Sequence, residues 1–359
     1  MGIRIRRATH DDYDAVAAFT RDTWPDHGGD YLPEIYHDWL EAEGETDRKT
    51  FLAVVDDENS DDEGDQTRDI DSSPSGVAGI LQAVLLSPEE AWFQGMRVNP
   101  AYRGRGVASR LNEAAFGWAR DRGARVGRVM SFGWNAPGLG LSRSLGFEPV
   151  AGIRFVNLDP EPDGWPEADD VPAAADRYRA RAADLTVAWD YWGRSIAREH
   201  LDGLVLDDEE SWAVRELTRD DLERYAEEGR LLLVGGEDGG SDAGSRADET
   251  NHRSEANEID AGFDDGFGTS GLSFRARTYE RDGDDGVETW VEYGVATWED
   301  VPAARALFVA IAADAAALGA DRVRVAIPET ARFVSDAAYA GVRLGESSVY
   351  VLERDLLER

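Results

Sequence analysis

Met96-Arg-Val-Asn-Pro-Ala-Tyr-Arg103-Gly104-Arg105-Gly106-Val107-Ala108-Ser109-Arg110-Leu111 is the stretch on which the reading of this chain turns. A strand ends at Val98, Pro100 forces an extended turn, and glycines at 104 and 106 let the backbone come close to a ligand before a helix begins. Amides at a helix start point outward together with the positive end of the dipole, so this turn is suited to an anion. The local charge agrees. From Arg97 to Arg128 eight arginines (Arg97, Arg103, Arg105, Arg110, Arg120, Arg122, Arg125, Arg128) meet two acids (Glu113, Asp121), a net of +6 in a chain of formal charge −35. A basic island in so acidic a chain predicts a polyanionic ligand there.

The remainder of the composition narrows the field. At 359 residues the chain predicts two domains or one large one, and 42% apolar residues suffice for cores. Lys+Arg number 38 against 73 Asp+Glu, and Lys49 is the only lysine. That balance argues against nucleic acid and against anionic membranes as partners. No apolar run approaches the ~20 residues of a membrane span, and the chain opens on an alternating strand rather than a signal peptide, which predicts a cytoplasmic protein. Zero cysteines exclude disulfides and thiolate chemistry, and five histidines without ligand spacing predict no metal site. The acidic, nearly lysine-free composition resembles that of salt-in haloarchaeal proteins, in which concentrated salt screens self-repulsion.

Two stretches, Asp56–Gly76 and Gly235–Gly271, each carry a net charge of −8 with few apolar residues, and predict disordered acidic loops. Each lies between two strand-like runs. The parallel extends into a tandem repeat. Thr9-His-Asp-Asp12 and Thr218-Arg-Asp-Asp221 both read as helix starts after a short strand. Helical runs ending at Gly123 and Gly319 are each followed by a strand, a second helix closed by Leu145-Gly146 or Leu344-Gly345, and a last strand, Ile153–Leu158 or Val349–Leu352. The expected architecture is α/β (α+β), with two copies of a mixed, mostly antiparallel sheet flanked by helices. The boundaries are 1–158, a Pro/Asp-rich linker at 159–172, and 173–359. The second copy carries an extra helical stretch, Ala173 to His200, whose aromatics Tyr178, Trp189, Tyr191 and Trp192 read as core or interface packing ahead of an acceptor-pocket lining.

Arg103-x-x-Gly106-x-Ala108 resembles the Q/R-x-x-G-x-G/A signature of the GCN5-related N-acetyltransferase (GNAT) family, and Val98-Asn-Pro-Ala-Tyr102 is similar to its usual lead-in. Asn135, twelve residues before Phe147, looks like the family's Asn…Gly-Phe segment. The resemblance covers about residues 3–158. It implies that the amides of Gly104, Arg105, Gly106, Val107 and Ala108 hold the pyrophosphate of acetyl-CoA as co-substrate, with Arg103 and Arg105 adding charge. It also implies that Met96 and Val98, on a splayed strand, hydrogen-bond the pantetheine, and that Asn135 contacts the cofactor. The implied reaction is direct attack of an amine acceptor on the thioester, with no metal. The chain departs from the family at Ser142, which stands where a tyrosine is usual as proton donor. Glu90, Gln94, His27, Tyr31 and Tyr36 are all open as base candidates, and none is singled out.

Where the first half has Arg103–Ala108, the second has Trp298-Glu-Asp-Val-Pro-Ala303, with no glycine and two acids, and its surroundings from 290 to 325 are net −2. The second copy is therefore expected to be degenerate and not to bind CoA. The leading expectation is an N-acetyltransferase for an amine of a small molecule or protein, as a monomeric pseudo-dimer or a homodimer. The alternative is a non-catalytic acyl-CoA-binding or regulatory module.

Overall fold

The computed structural model describes residues 2–21, 23–25, 29–41, 47–56, 76–160, 178–181, 184–236, 268–283 and 286–358. The interiors of both acidic stretches and most of the 159–172 linker lie outside these residues. The chain forms two compact units: Met1–Ala151 with Glu210–Arg215 and Val349–Arg359, and Gly152–Glu209 with Glu216–Ser348.

The first half of the chain contributes β1 (Gly2–Arg7), α1 (Tyr13–Thr20), α2 (Leu32–Glu41), β2 (Arg48–Asp56), β3 (Val77–Leu85), β4 (Glu90–Val98), α3 (Val107–Arg120), β5 (Val126–Phe132), α4 (Ala136–Ser144) and β6 (Glu148–Leu158). The second contributes β7 (Tyr178–Arg181), α5 (Leu185–Arg194), α6 (Ile196–His200), β8 (Leu204–Leu206), β9 (Val214–Glu216), α7 (Arg219–Glu227), β10 (Leu231–Gly236), β11 (Thr269–Gly283), β12 (Gly286–Trp298), α8 (Val301–Ala317), β13 (Arg322–Pro328), α9 (Ala331–Tyr339) and β14 (Arg343–Asp355).

In the first unit β1, β2, β3 and β4 are antiparallel neighbours, β4 pairs with β5 in parallel, and Val349–Asp355 of β14 closes the β5 edge antiparallel. Strand β2 is apolar on both faces, so its side chains feed two cores by alternation. Phe51, Ala53 and Val55 join Phe93, Leu111, Phe116 and Phe147 on the α3 side. Leu52 and Val54 join Leu32, Tyr36, Trp39 and Ile80 on the α1/α2 side. Helix entry is set by Thr9, whose N and Oγ1 donate to Asp12 Oδ2 at 2.9 and 2.8 Å, a reciprocal cap of the kind the sequence predicts.

The second unit repeats this order. Strands β7, β10, β11 and β12 are antiparallel neighbours, β12 and β13 are parallel, and Ile153–Leu158 of β6 closes the β13 edge. Thr218 caps α7 through Asp221 as Thr9 does through Asp12. Each unit is thus a mostly antiparallel sheet with one parallel pair, flanked by helices, as the sequence predicts.

Four details differ from the sequence reading. The closing strands are exchanged, so Ile153–Leu158 belongs to the second unit and Val349–Leu352 to the first. A period of two identifies a strand but not the edge it closes; ion pairs do that here. Arg154 donates to both oxygens of Glu329 at 2.6 and 2.7 Å in the second unit, and Arg128 bridges Glu90 and Glu353 in the first. Second, Tyr178 lies in strand β7 rather than a helix, and β7 rather than β9 takes the edge that β1 holds in the first unit; residues 173–177 lie outside those described. Tyr191 and Trp192 are buried in α5, as packing residues. Third, α9 ends before Gly341 (φ 92°), and Leu344-Gly345 is already strand. Fourth, Gly235–Gly236 and Thr269–Gly271 are strand residues of the β10–β11 hairpin rather than loop. Among the described residues no helix is long and apolar enough to cross a membrane.

The Arg154 pair has a pH signature. Its hydrogen bonds outweigh the burial of Glu329 and hold that carboxyl below the usual carboxylate range, with Ser348 assisting. A depressed carboxyl contributes stability that is complete above its unfolded value and lost as pH falls through its folded one. Arg154→Met is therefore expected to cost about 1–2 kcal/mol near neutrality, with the difference from the parent shrinking below pH of about 4. Urea unfolding across pH checks it.

Candidate functional site

The turn after β4 is built locally. Asn99 donates from Nδ2 to Val77 O (3.1 Å) and accepts from Ala101 N (3.0 Å), which fixes a single 3-10 turn over Pro100–Tyr102. The chain then runs through exposed Arg103, Gly104, Arg105 and Gly106 into α3. Both glycines are left-handed, with φ of 74° and 76°, and a Cβ at either would meet nothing within 4 Å among the described residues. The N-cap is Gly106, no side chain caps the helix, and its first turn has no acid. The helix-start amides from Val107 and Ala108 onward thus have no side-chain cap and follow directly on Arg103 and Arg105, an arrangement that suits a phosphate.

Strand β4 opens beside this turn. It pairs with β5 only from Glu90 to Trp92 (with Val126 to Arg128), although β4 continues to Val98 and β5 to Phe132. The divergence coincides with a bulge, because Ile80 pairs with Arg97 while Gln82 pairs with Gln94, and Gly95 sits at φ 63°. The extra residue turns Met96 and Val98 to the α3 side, where they edge the core, and Arg97 to the other. Gly95 and its counterpart Gly294 lie outside the sequence motifs, although both precede a strand end in their halves; that repeated glycine is the signal that marks them. A cavity of about 520 Å³ continues from Ser109 along α3 to Arg120, Gly146 and Arg354.

The basic island is not one surface. Arg97 is buried and salt-bridged to Asp30 at 2.7 Å, and Arg128 is buried between two glutamates. Arg120 donates to Leu356 O, Arg122 covers the Trp118 ring, and Arg125 lies 3.7 Å from Glu89. Arg103 and Arg105 stand at the turn, Arg105 over the Tyr102 ring at 5.6 Å, and Arg110 beside them donates to Ile3 O at 3.2 Å. A charge count cannot tell a ligand-facing arginine from one consumed by a buried carboxylate. The other expected residues are also placed. Asn135 caps α4 through Oδ1, which accepts from Gly138 N at 3.1 Å. Ser142 Oγ donates to Gly138 O at 3.1 Å, within its own helix. Glu90 is held by Arg128 and by Ser87 (2.9 Å), and Tyr36 donates to Thr9 O at 2.7 Å, so both serve the scaffold. Tyr31 is 42% exposed. Gln94 donates to Gln82 and to Glu210, each at 2.8 Å. His27 lies outside the described residues. Among those residues no group of three or more His, Asp or Glu could hold a metal.

The equivalent turn of the second unit is shortened rather than substituted. Strand β12 ends at Trp298 and α8 starts at Val301, against Val98 and Val107 in the first unit. Asp300 Oδ1 accepts from Ala303 N at 2.9 Å, and Tyr178 donates to Asp300 Oδ2 at 2.9 Å. The helix start is thereby satisfied by the chain's own carboxylate. Asp300→Ala is expected to lower the stability of this unit by about 1–2 kcal/mol and to leave acetyl-CoA affinity unchanged; thermal unfolding and calorimetry separate the two readouts.

Residues 14–147 match the family described as Acetyltransferase (GNAT) family, a match confined to the first half of the chain. In fold, 99% of the chain is similar to 96% of a GCN5-related N-acetyltransferase from Sphaerobacter thermophilus, at 15% identity and a TM-score of 0.53. It is also similar over 98% of its length to 38% of a fungal multi-domain GH3 β-N-acetylglucosaminidase described as containing a glucosamine N-acetyltransferase region, at 12% identity and a TM-score of 0.55. These likenesses span both halves, whereas the family match stops at Phe147. No curated protein matches the sequence.

Proposed function

We propose that the first unit transfers the acetyl group of acetyl-CoA to a primary amine of a small molecule or protein. The observation that carries this reading is the uncapped, acid-free start of α3 behind two left-handed glycines, at the point where β4 and β5 separate. The amides of residues 104–108 bind the diphosphate, with charge-assisted contacts from Arg103 and Arg105. The backbone of Met96 and Val98 faces the gap and aligns the pantetheine, and Asn135 sits at the start of α4 beside it. The neutral amine nitrogen bonds to the thioester carbon and gives up a proton, the C–S bond breaks, and the thiolate leaves to take a proton. Holding both reactants in line supplies much of the rate. Ser142 is engaged with Gly138 O, which favours water or another side chain as the proton donor. The second unit, with Asp300 in its helix start, keeps the scaffold without the CoA function, and the net charge of −35 is an adaptation to concentrated salt.

Calorimetric titration of acetyl-CoA in molar KCl, beside thiol release with a panel of amines, tests the assignment. Binding with turnover supports it. Binding without turnover of any amine would identify an acyl-CoA-binding or regulatory module, and no binding would refute both.

A further inference from the structure

Residues Glu210–Arg215 pack with the first unit although the chain on both sides of them belongs to the second. They bring Glu210 and Trp212 to the face of the sheet opposite α3. Glu210 is 8% exposed, an unusual position for a carboxylate without a role or partners. Arg48 Nη1 lies 3.0 Å from its Oε2, and Gln94 Nε2 donates to its Oε1 at 2.8 Å. Gln94 is itself fixed. Its Oε1 accepts from Trp92 Nε1 (3.1 Å), its Nε2 also donates to Gln82, and Gln82 donates to Thr50 (3.0 Å). This polar row holds the Glu210 carboxylate where β4 leaves β5, two residues before Met96. At about 3.3 Å per strand residue, that is within one small molecule's reach of the Met96 backbone proposed above to align the pantetheine.

Aromatic rings continue the wall across the opened strand ends. The Trp212 ring meets Phe132 edge-on at 5.6 Å, Phe132 stacks on Trp134 at 5.3 Å, and Trp134 meets Trp24 at 5.4 Å. Trp24 and Trp212 both have positive φ, 58° and 59°, a strained setting for a bulky residue that folding alone does not reward. Trp212 is 37% exposed. The wall already carries a cation, since the Arg97 guanidinium lies 4.0 Å from the Trp24 ring centre.

We propose that Glu210 and Trp212, with Phe132, Trp134 and Trp24, form the acceptor site of the first unit, and that they select a primary amine borne on a flat apolar frame. The ammonium faces Glu210 and the frame lies against the rings. A carboxylate oxygen takes more than one donor, so the ammonium joins Arg48 and Gln94 rather than displacing them. The inference rests on the acetyl-transfer reading for its setting, but its binding test stands apart from it.

Phenethylamine, ethylamine and 3-phenylpropionate are titrated calorimetrically into the protein in molar KCl, with and without saturating CoA. Phenethylamine should bind at least about tenfold tighter than either of the others. Glu210→Gln should weaken it about tenfold or more and Trp212→Ala about fivefold, with CoA affinity in both variants within about twofold of the parent. Preserved CoA affinity shows that the variants fold, and Trp212→Ala at its exposed edge decides the matter should Glu210→Gln not fold. Phenethylamine bound no tighter than ethylamine, or equally well by folded variants, overturns the proposal. Failure of CoA to bind the parent protein overturns acetyl transfer instead, and the titration without CoA still decides the amine site.

Discussion

Gly106→Asp is expected to weaken acetyl-CoA binding by about a hundredfold, roughly 2.7 kcal/mol, while leaving the fold intact. The argument compares the two units. At the start of α8, Asp300 already accepts from the first-turn amide of Ala303 with its own carboxylate. At the start of α3 the corresponding position is a glycine at φ 76° with open space around it and no side-chain cap. A carboxylate introduced there stands within about 4 Å of a bound diphosphate, where even at an effective dielectric near 20 the repulsion of unit charges is about 4 kcal/mol. Salt reduces that figure at an exposed loop, which is why the expected loss is smaller. The left-handed backbone costs about 1–2 kcal/mol for a residue with a Cβ, and aspartate tolerates it better than most. Thermal unfolding should therefore move little while calorimetry records the lost affinity. An affinity within threefold of the parent would place the diphosphate elsewhere.

How much of this was legible in the sequence depends on the range of the interactions. The strand-turn-helix over Met96–Leu111, the Thr9–Asp12 and Thr218–Asp221 caps, and the helix stops at Gly123 and Gly319 are set within a few residues of themselves, and all were readable. Both stop glycines have positive φ, 102° and 70°, as a helix end requires. The exchange of closing strands was not readable, because Ile153–Leu158 and Val349–Leu352 present the same alternation to any open edge. Nor was the fate of Arg97 and Arg128, whose partners Asp30 and Glu353 are remote in sequence. The contact of Gln94 with Glu210 spans 116 residues, from the first half of the chain into the second, so no local pattern announces it. A capping or turn signal encodes its partner nearby, whereas an ion pair across the fold encodes only half of itself at each position.

The bulge glycine of β4 yields the second large effect, because it sets the geometry that separates β4 from β5. Gly95→Ala is expected to destabilise the first unit by about 2–5 kcal/mol, adding a left-handed backbone penalty to overpacking. A Cβ at Gly95 would overlap the Trp39 ring, which is only 8% exposed and packed between α2 and the sheet, so the ring has no room to retreat. Relief therefore requires moving α2 or flattening the bulge. Flattening it would return Met96 and Val98 to the opposite face and close the gap between the strands, so acetyl-CoA affinity should fall with stability rather than independently of it. Gly294→Ala is the control. Its Cβ would overlap the Phe274 ring, but its φ is not in the left-handed region, so the backbone part of the cost is absent. The variant should cost about 1–3 kcal/mol in the second unit and leave CoA binding unchanged. Equal losses of affinity in the two variants would mean that the bulge in β4 does not shape the candidate site. Loss confined to Gly95→Ala would tie that single extra residue to the opening of the sheet.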